Sequence, residues 1–460
     1  MAEALKALVE IISTETDALL SAYATHEVKF PSIDETSTTS SKKNTDFDVD
    51  PTIVRMRQLI VAAAAQLIAT VQPPGEFLQD AAPAMFKSAT LGFVIDVDVP
   101  EILMEAGPMG LHVKDLAIAT GVDDSHLARV LRYLATRHIF REVEPNVFAH
   151  NRNSPLLSKG KSVKEIKEDP LGRFDNSPFT AFLHMASDEL LASSVHLSAW
   201  LRNPEQAPAA LNMGCKTPKK LWDWYEEPNN EARLRRFTIG MKANAYPSHI
   251  FTNGIHGDAL RANDVVVDVG GSIGTVTFVL KKAFPNLNYV VQDIDKTITA
   301  GEDYWREHSP EAFESGQVKL QAHNFFEPQP VKDAAVYFLR NILHDWPDEE
   351  ACEILSNIRD AAGPNSKLIV FESLARYTCE DSSRANFSLP EAPYPLLKNL
   401  GVAGEGYLTA LDLGMLALFN GKERTLAEFE ELGIKTAWRL ESVKPGSLDT
   451  LVFSPIAGGA

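Results

Sequence analysis

The sequence predicts an α/β protein, in which a Rossmann-like sheet of seven strands fills the C-terminal half and a mostly helical region with a winged helix precedes it. Three observations indicate this fold. A β-branched run at 265–267 is followed by a glycine-rich loop and an apolar, helix-like stretch at 276–284, which is the order strand, tight loop, helix. Strand-like and helix-like segments then alternate over 264–455. Residues 95–150 instead have the pattern helix, turn, helix and two short strands.

The composition argues against several classes of protein. The 460 residues are 45% hydrophobic and 23% charged, as is usual for a globular protein. The net charge of −18 argues against a nucleic-acid partner, since such binding depends on Lys and Arg neutralising phosphates. The three cysteines are widely spaced and support neither a disulfide framework nor a zinc site, and we expect no metal.

Nothing in the sequence indicates export or membrane insertion. The N-terminus lacks a signal-peptide core, because charged residues interrupt its apolar residues. The longest apolar run, 59–71, contains Gln66 and is too short to span a bilayer. We therefore expect a cytoplasmic protein with no membrane partner.

The chain is expected to have three parts. Residues 1–75 form a helical extension with a flexible, Ser/Thr-rich linker at about 34–49. Residues 76–245 form the helical, winged-helix region, and residues 246–460 form the α/β domain. In the extension, helical periodicity predicts helices at 2–24 and 54–71.

The winged-helix region has two alternative interpretations. Its second helix begins after Asp123 or Asp124, either of which can act as the N-cap, and a hairpin follows at 139–148. Three basic residues are predicted to lie on the second helix: Arg129, Arg132 and Arg137. They could contact DNA or form a solvated face, and in so acidic a chain we favour the solvated face.

The glycine-rich loop is the first ligand-binding signal. It follows Asp268 and contains Gly270, Gly271 and Gly274, and glycine lets the backbone turn sharply and approach a ligand closely. Ser272 replaces the middle glycine of G-x-G-x-x-G, and no G-K-[ST] follows. The next strand ends in Asp293, from which a carboxylate can accept hydrogen bonds from a ribose diol. The alternative role for both aspartates is turn formation.

Seven strands are predicted in the C-terminal half, at 265–269, 289–292, 318–321, 334–339, 367–371, about 437–443 and 450–454. The segment 377–406 is polar and rich in proline and glycine, which favours a long loop or lid rather than core.

A second polar group of residues follows the strand at 334–339. Arg340 comes directly after this strand and His344 four residues later, near the edge where open parallel sheets bind ligands. Asp348 is predicted as the N-cap of the next helix. A structural histidine bonded to a carbonyl is the alternative role for His344.

Two glutamates favour a catalytic histidine. Glu372 ends the next strand and so belongs to the same rim, while Glu423 begins a helix much later in the chain. A histidine with carboxylates beside it is a general base held in one tautomer. The distance between Glu423 and His344 is left open by the sequence.

From about residue 80 to its end, the chain resembles the S-adenosylmethionine-dependent O-methyltransferases of the plant caffeate type, particularly their fungal relatives. The matching stretches are V-V-D-V-G-G-S-I-G at 266–274, V-V-Q-D at 290–293, H-N-F-F at 323–326, L-R-N-I-L-H-D-W-P-D at 339–348, K-L-I-V-F-E at 367–372 and N-G-K-E-R-T at 420–425. Their ordered combination is specific, although no single stretch is. The winged-helix region resembles the dimerisation part of that family, which implies a homodimer.

The resemblance implies S-adenosylmethionine as the cofactor and a role for each matching residue. The cofactor-binding residues would be Asp268, Gly270, Gly271 and Gly274 in the loop, Asp293 at the ribose, Asn324 and Phe325 at the adenine, and Arg340. The base would be His344, assisted by Glu372 and Glu423. The acceptor-binding residues would be Phe237, Met241, Asp345, Met415 and Asn420. The chain departs from the family at Ser272 and Ile273 (commonly Gly and Thr), at Asn324 (commonly Asp) and at Arg340 (Lys in plant enzymes).

The function implied is methyl transfer to a phenolic hydroxyl of a small aromatic molecule. A phenol titrates near pH 10 and an imidazole near 6.5, so a nearby base can take the phenol proton as the oxygen attacks. Two rivals remain. One is an enzyme of this fold that binds S-adenosylmethionine but catalyses a dehydration or a pericyclic reaction, and the other is a winged-helix regulator with a ligand-sensing domain.

Overall fold

The computed structural model describes residues 2–35, 47–243, 246–381 and 391–457. The chain divides into two compact units, one of residues 1–245, 394–396 and 400–404 and the other of residues 246–393, 397–399 and 405–460. Most of the linker expected at 34–49 lies outside the described residues. The expected boundary between residues 75 and 76 stays a prediction.

Two long helices, Ala2–Thr25 and Pro51–Val71, begin the first unit. The carboxylate of Asp50 caps the second helix by accepting two backbone N–H groups of its first turn. With 21 residues this helix is longer than the apolar run at 59–71, and by length and composition it could cross a membrane. The helix carries a charged residue, Arg57, which forms an ion pair with Asp48 of the same unit.

The rest of the first unit is mostly helical, with a small sheet. Its helices are Pro74–Ala81, Met85–Asp96, Val99–Ala106, Val113–Thr120, Asp124–Ala135, Val163–Glu168, Pro178–Met185, Leu191–Arg202, Ala210–Gly214, Leu221–Tyr225 and Glu231–Gly240. Its strands are β1 (Leu111–His112), β2 (Arg141–Glu144) and β3 (Val147–Ala149), in the order β1-β3-β2. This confirms the predicted winged helix, with Asp123 as the N-cap of the second helix.

Two of the three basic residues of the winged helix, Arg132 and Arg137, have partners within their own unit. Arg132 forms two hydrogen bonds to the carboxylate of Glu142, at 2.7 and 3.0 Å. Arg137 was expected on this helix but lies beyond its end at Ala135, and its guanidinium is 3.8 Å from the ring centroid of Tyr133. These contacts agree with the interpretation of this face as a solvated surface.

A mostly parallel sheet of seven strands forms the centre of the second unit. Its strands are β4 (Val265–Val269), β5 (Asn288–Asp293), β6 (Val318–Ala322), β7 (Val336–Arg340), β8 (Lys367–Glu372), β9 (Trp438–Lys444) and β10 (Asp449–Pro455), in the order β6-β5-β4-β7-β8-β10-β9. Only β10 runs antiparallel to its neighbours. All seven predicted strands are confirmed to within two residues at each end.

The described residues of this unit form seven α-helices, several of which pack on the sheet and bury its apolar strands. They are Ser248–Ile255, Thr275–Ala283, Asp295–His308, Pro310–Glu314, Asp348–Ala361, Gly406–Phe419 and Leu426–Lys435. The chain order reverses between β4 and β7, which lie side by side. In open α/β sheets the ligand crevice lies at such a point, outside the carboxyl ends of the strands, where β4, β5, β7 and β8 all end.

One prediction about this unit is wrong, and another, for the segment 377–406, holds only in part. Asp348 is the first residue of its helix rather than its N-cap, which is Pro347; its carboxylate pairs with Arg424 instead.

The segment 377–406 was expected to be a long loop or lid rather than core, and residues 382–390 of it lie outside the described residues. The rest is a loop with one 3₁₀ turn, Gly401–Ala403, before the helix that begins at Gly406, but Leu396 and Leu400 are buried and belong to the first unit, so part of the segment is core.

Candidate active site

The loop after β4 has the backbone that its glycines predict. Gly270, Ser272 and Gly274 have φ values of 71°, 54° and 83°, in the left-handed region. A Cβ on Gly271 would lie 2.3 Å from the carboxyl carbon of Asp268, so no larger residue fits there. Ser272 therefore adopts a conformation that costs an L-residue about 1 kcal/mol or more.

Two aspartates hold this loop at the ends of β4 and β5. Asp293 accepts the N–H of Ser272 and the N–H of Ile294, each at 2.8 Å. Asp268 accepts the hydroxyl of Thr277 at 2.7 Å, and burial raises its pKa to about 7. Asp293 thus lies beside the glycine loop, where the ribose-binding role predicted for it would require it to be, whereas Asp268 ties the loop to the following helix through Thr277. The ribose-binding role stays a prediction.

The residues expected at the adenine also lie close to this loop. Phe325 follows β6, and its ring is 3.7 Å from where a Cβ on Gly270 would be. The side-chain oxygen of Asn324 accepts the N–H of Phe326 at 3.2 Å, which forms a local turn. The space beside Gly270, which a Cβ would fill, thus lies next to the ring of Phe325, and the carboxylate of Asp293 lies beside the same loop. These residues fit an adenosine-type cofactor.

Arg340 ends β7 on the same side of the sheet. Its guanidinium lies 5.3 Å from the ring centroid of Tyr246, within the range of a cation–π interaction. The positive charge of Arg340 also lowers the pKa of Asp268, although burial raises it more.

His344 lies in a short 3₁₀ turn, Leu343–Asp345, after β7. Its Nδ1 is 2.8 Å from Oε1 of Glu423, which answers the question that the sequence left open. Its Nε2 is 3.6 Å from Oδ1 of Asp345, too far for a hydrogen bond. In the neutral ring the proton is therefore on Nδ1, donated to Glu423, and the lone pair is on Nε2.

Glu372 supports the same turn through the backbone. Its Oε1 accepts the N–H groups of Ile342 and Leu343, at 3.0 and 2.8 Å. It lies beside His344 without orienting the ring. Ligand-type atoms of His344, Glu372 and Glu423 are within 4.8 Å of one another, as they would be in a metal site, and the expected absence of a metal stays a prediction.

The charges of this cluster raise the pKa of His344. Burial alone would lower this pKa, but the carboxylates of Glu372, Asp345 and Glu423 raise it to about 10. Burial in turn raises the pKa of Asp345 to about 6 and that of Glu372 to about 7, while the charge of His344 lowers both. With these three carboxylates around it, His344 is a strong base that carries its proton at neutral pH.

Residues that the sequence did not single out hold this cluster in place. Arg424, 1% exposed, donates to the carbonyl oxygens of Leu343 and Trp346, at 2.6 and 2.7 Å. Asp412 accepts the N–H of Glu423 at 2.8 Å. The only sequence signal was that Arg424 follows Glu423 in the N-G-K-E-R-T stretch.

Trp305, another residue that the sequence did not single out, contacts the glycine loop. Its indole N–H donates to the carbonyl of Ile273 at 3.0 Å. A Cβ on Gly274 would lie only 2.7 Å from this indole nitrogen. The loop is therefore closely packed against a buried aromatic ring, and no sequence signal marked Trp305.

The residues expected to bind the acceptor belong to different units. Met415 is buried in Gly406–Phe419, and Asn420 ends this helix in a left-handed conformation with φ of 58°. Phe237 and Met241 belong to the first unit, where the ring of Phe237 packs edge-on against Trp222. Their roles at the acceptor stay predictions.

Comparisons with known proteins agree with this geometry. The O-methyltransferase domain model matches residues 248–439, and the O-methyltransferase dimerisation domain model matches residues 80–160. An O-methyltransferase of Armillaria gallica is 37% identical over 99% of this chain and 98% of its own length. The protein 4-O-methyltransferase 1 of Phanerochaete chrysosporium is 34% identical over 96% of each chain.

Solved structures share the fold at lower identity. The O-methyltransferase NcsB1 from neocarzinostatin biosynthesis, in complex with S-adenosyl-L-homocysteine and 1,4-dihydroxy-2-naphthoic acid, has a TM-score of 0.55 and 23% identity, over 81% of this chain and 96% of that one. A pericyclic reaction enzyme has a TM-score of 0.63 and 18% identity, over 97% and 100%. The fungal relatives, at 34–37% identity over nearly the whole chain, show the family. The chain belongs to the S-adenosylmethionine-dependent O-methyltransferases of the caffeate type.

Proposed function

We propose that His344 removes the proton from a phenolic hydroxyl of a small aromatic acceptor as the oxygen takes the methyl group. The observation that carries this proposal is the 2.8 Å contact between Nδ1 of His344 and Glu423, at the edge where the strands of the sheet end. This contact directs the lone pair of the neutral ring to Nε2. The cofactor supplies a methyl group on a sulfonium, which is a good leaving group.

The surrounding carboxylates have two effects on this proton transfer. They stabilise the imidazolium that forms, and they place the pKa of His344, at about 10, in the range of a phenol. Matched pKa values make the transfer nearly balanced in free energy. The carboxylates also keep His344 protonated at neutral pH. Turnover should therefore rise with pH as His344 loses this proton.

The remaining residues position the two reactants. Asp293 and the glycine loop bind the ribose and the methionine end of the cofactor, and Phe325 packs at the adenine. Good alignment of the attacking oxygen with the methyl carbon is the main contribution that a protein can make to such a displacement. Glu372 and Arg424 contribute by fixing the turn that carries His344.

An aromatic acceptor is supported by the residues that the family uses to bind it. Phe237, Met241 and Met415 are aromatic or thioether side chains, which pack well on flat rings. The related NcsB1 structure contains 1,4-dihydroxy-2-naphthoic acid, an aromatic molecule with hydroxyl groups. We infer a phenol of comparable size as the acceptor.

The experiment that tests this function is product analysis. The protein is incubated with methyl-labelled S-adenosylmethionine and a panel of phenols, and products are identified by mass spectrometry. We expect a labelled methyl ether together with one equivalent of S-adenosylhomocysteine. The absence of label from every product, with the acceptor nevertheless converted, would overturn the proposal.

That second outcome would favour a non-methylating reaction such as a dehydration or a pericyclic step. The likeness to a pericyclic reaction enzyme keeps this candidate open, because the same fold serves both reactions. A DNA-binding regulator has no comparable support. The assembly we propose is a homodimer, on the basis of the match to the dimerisation domain at 80–160.

A further inference from the structure

A network of buried charges connects three helical segments of the first unit. At its centre, Arg236 (5% exposed) forms an ion pair with the fully buried Glu189. Arg236 also donates to the carboxylate of Asp188, at 3.1 Å, and to Nδ1 of His184. The carboxylate of Glu189 accepts a second hydrogen bond, from Arg233 at 3.2 Å. We call these five residues the buried network.

The local structure explains how the side chains of the network meet. Its two acidic residues lie in a single π-helical turn, Ala186–Leu190. Such turns are rare and are frequent at functional sites. The two arginines are three residues apart on Glu231–Gly240, so both project from the same face of that helix. The network therefore holds this face of the helix against the π turn.

A second contact holds the same helix near its end. Gly240 lies so close to a neighbouring helix that a Cβ there would be 3.1 Å from the backbone nitrogen of Phe182. Phe237 lies between this contact and the ion pair, and its ring packs against Trp222 and Tyr225, with centroid distances of 5.2 and 5.3 Å. The helix is thus fixed on both sides of Phe237, which is the residue expected to pack on the acceptor.

The ion pair is not an efficient source of stability. Within the described residues, Oε2 of Glu189 and Nε of Arg236 are buried without a hydrogen-bond partner. Burial also raises the pKa of Glu189, because its charged form loses hydration. Apolar side chains of similar volume often give equal or higher stability than a buried ion pair. What the ion pair adds is direction, because a forked guanidinium meets a carboxylate in few arrangements.

We propose that Glu189 and Arg236 are positioning residues for the acceptor, because they set the orientation of the helix that carries Phe237. This inference rests on the proposed function and on the acceptor-binding role predicted for Phe237. Arg236 directly precedes Phe237, so a rotation of the helix that breaks the ion pair also moves the ring. A displacement of about 1 Å at a residue that orients a substrate can lower catalytic efficiency by about 100-fold.

The first test is the double variant Glu189→Leu/Arg236→Met, which replaces the ion pair by apolar side chains of similar size. The neighbouring charges stay paired, since Arg233 lies 3.0 Å from Asp188. We expect a folded protein with the parental affinity for S-adenosylmethionine. Its KM for the phenol that the parent methylates most efficiently should rise by about 10- to 100-fold. A folded double variant with the parental KM overturns the inference.

A milder variant covers the case in which the double variant does not fold. Arg236→Lys keeps the positive charge but lacks the forked geometry of the guanidinium. It should raise the KM for the same phenol by about tenfold and leave the cofactor affinity unchanged. A folded Arg236→Lys protein with the parental KM also overturns the inference.

The matched control is Glu101→Leu/Lys159→Met. Glu101 and Lys159 form another buried ion pair of the first unit, at 3.0 Å, far from Phe237 in the sequence. This control should keep the parental KM for the phenol. An increase as large as that of Glu189→Leu/Arg236→Met would show a general loosening of the unit and would overturn the positioning role.

A double-mutant cycle tests whether the ion pair acts through Phe237. Phe237→Ala should itself raise the KM for the phenol, and adding the two ion-pair substitutions should raise it by less than about twofold further. A full additional increase, or a parental KM in Phe237→Ala alone, overturns the inference. If the parent methylates no phenol, the proposed function fails and this inference fails with it. If the parent methylates a phenol and the ion-pair variants keep its KM, this inference alone is wrong.

Discussion

The bond between His344 and Glu423 determines the pH range in which His344 can act as a base. Glu423 is one of three carboxylates that raise the pKa of His344 to about 10, so this residue loses its proton only as the pH rises. Glu423→Gln removes one negative neighbour and should lower that pKa by about one unit. The rising limb of kcat/KM against pH, which reports the free enzyme, should therefore shift to lower pH.

The matched control for this measurement is Glu353→Gln, because Glu353 is exposed on the helix Asp348–Ala361. Its pH–rate profile should equal that of the parent. A profile for Glu423→Gln that also equals the parent's would show that His344 does not titrate in the reaction.

Ser272 stores backbone strain in the glycine loop. Its φ of 54° is in the left-handed region, where glycine has no Cβ clash. Ser272→Gly should raise the free energy of unfolding by about 1 kcal/mol and leave the N–H bond to Asp293 intact. Urea unfolding measures this. The control is Ser309→Gly, at an ordinary φ of −155°, which should lower the free energy of unfolding by about 0.5–1 kcal/mol. If Ser272→Gly also lowers the free energy of unfolding, the strain assigned to Ser272 is wrong.

Sequence alone could place some of these residues in the site but not all of their contacts. Glu372 was expected near His344 because both follow neighbouring parallel strands. Its bonds go to the backbone of Ile342 and Leu343, which depends on how the turn folds. Glu423 is distant in the chain from His344, and only the tertiary fold brings the two together.

At the scale of elements, Arg424 links the His344 turn to the helix that follows it. Its side chain is buried and donates to the carbonyl of Leu343 in the turn, to that of Trp346 just after it and to the carboxylate of Asp348. Arg424→Met should lower the free energy of unfolding by about 3 kcal/mol, since hydrogen bonds to a charged group are worth about 1.5–3 kcal/mol each and neighbouring losses are not additive. Turnover should fall as well, while cofactor affinity stays the same.

Lys435→Met is the control for Arg424→Met. Lys435 is half exposed and pairs with Glu431 on its own helix, so its loss should change stability by less than about 0.5 kcal/mol. Thermal unfolding of both variants distinguishes a structural link from a surface charge. Equal melting temperatures would contradict the role assigned to Arg424.

The seven strands could be predicted because each is a short β-branched or aromatic run bounded by turn residues. The helix Gly406–Phe419 was missed, since it follows a proline- and glycine-rich segment, contains Gly414 and is apolar on nearly all sides. Such a helix shows no periodic polar face. The N-cap assigned to Asp348 was wrong because Arg424, a distant residue in sequence, competes for its carboxylate.

At the scale of the whole molecule, the proposed homodimer has a direct measurement. Sedimentation equilibrium at micromolar concentration should give a mass of twice 50.6 kDa. The physical reason is the exposed apolar surface of the first unit, since interfaces of permanent dimers commonly bury more than about 2,000 Å². A single species of 50.6 kDa would contradict it.

The central claim is that His344 is the general base, and the turnover of His344→Ala tests it most directly. The variant should lose kcat at pH 7 by up to about two to four decades, the usual contribution of a positioned base, with a smaller loss to the extent that the parent's His344 is itself protonated at that pH. It should bind S-adenosylmethionine as tightly as the parent. Part of the rate should return towards pH 10, where the phenol ionises without help. The control His308→Ala, at an exposed histidine of the same unit, should keep parental turnover. A folded His344→Ala variant with parental turnover at pH 7 would contradict the claim.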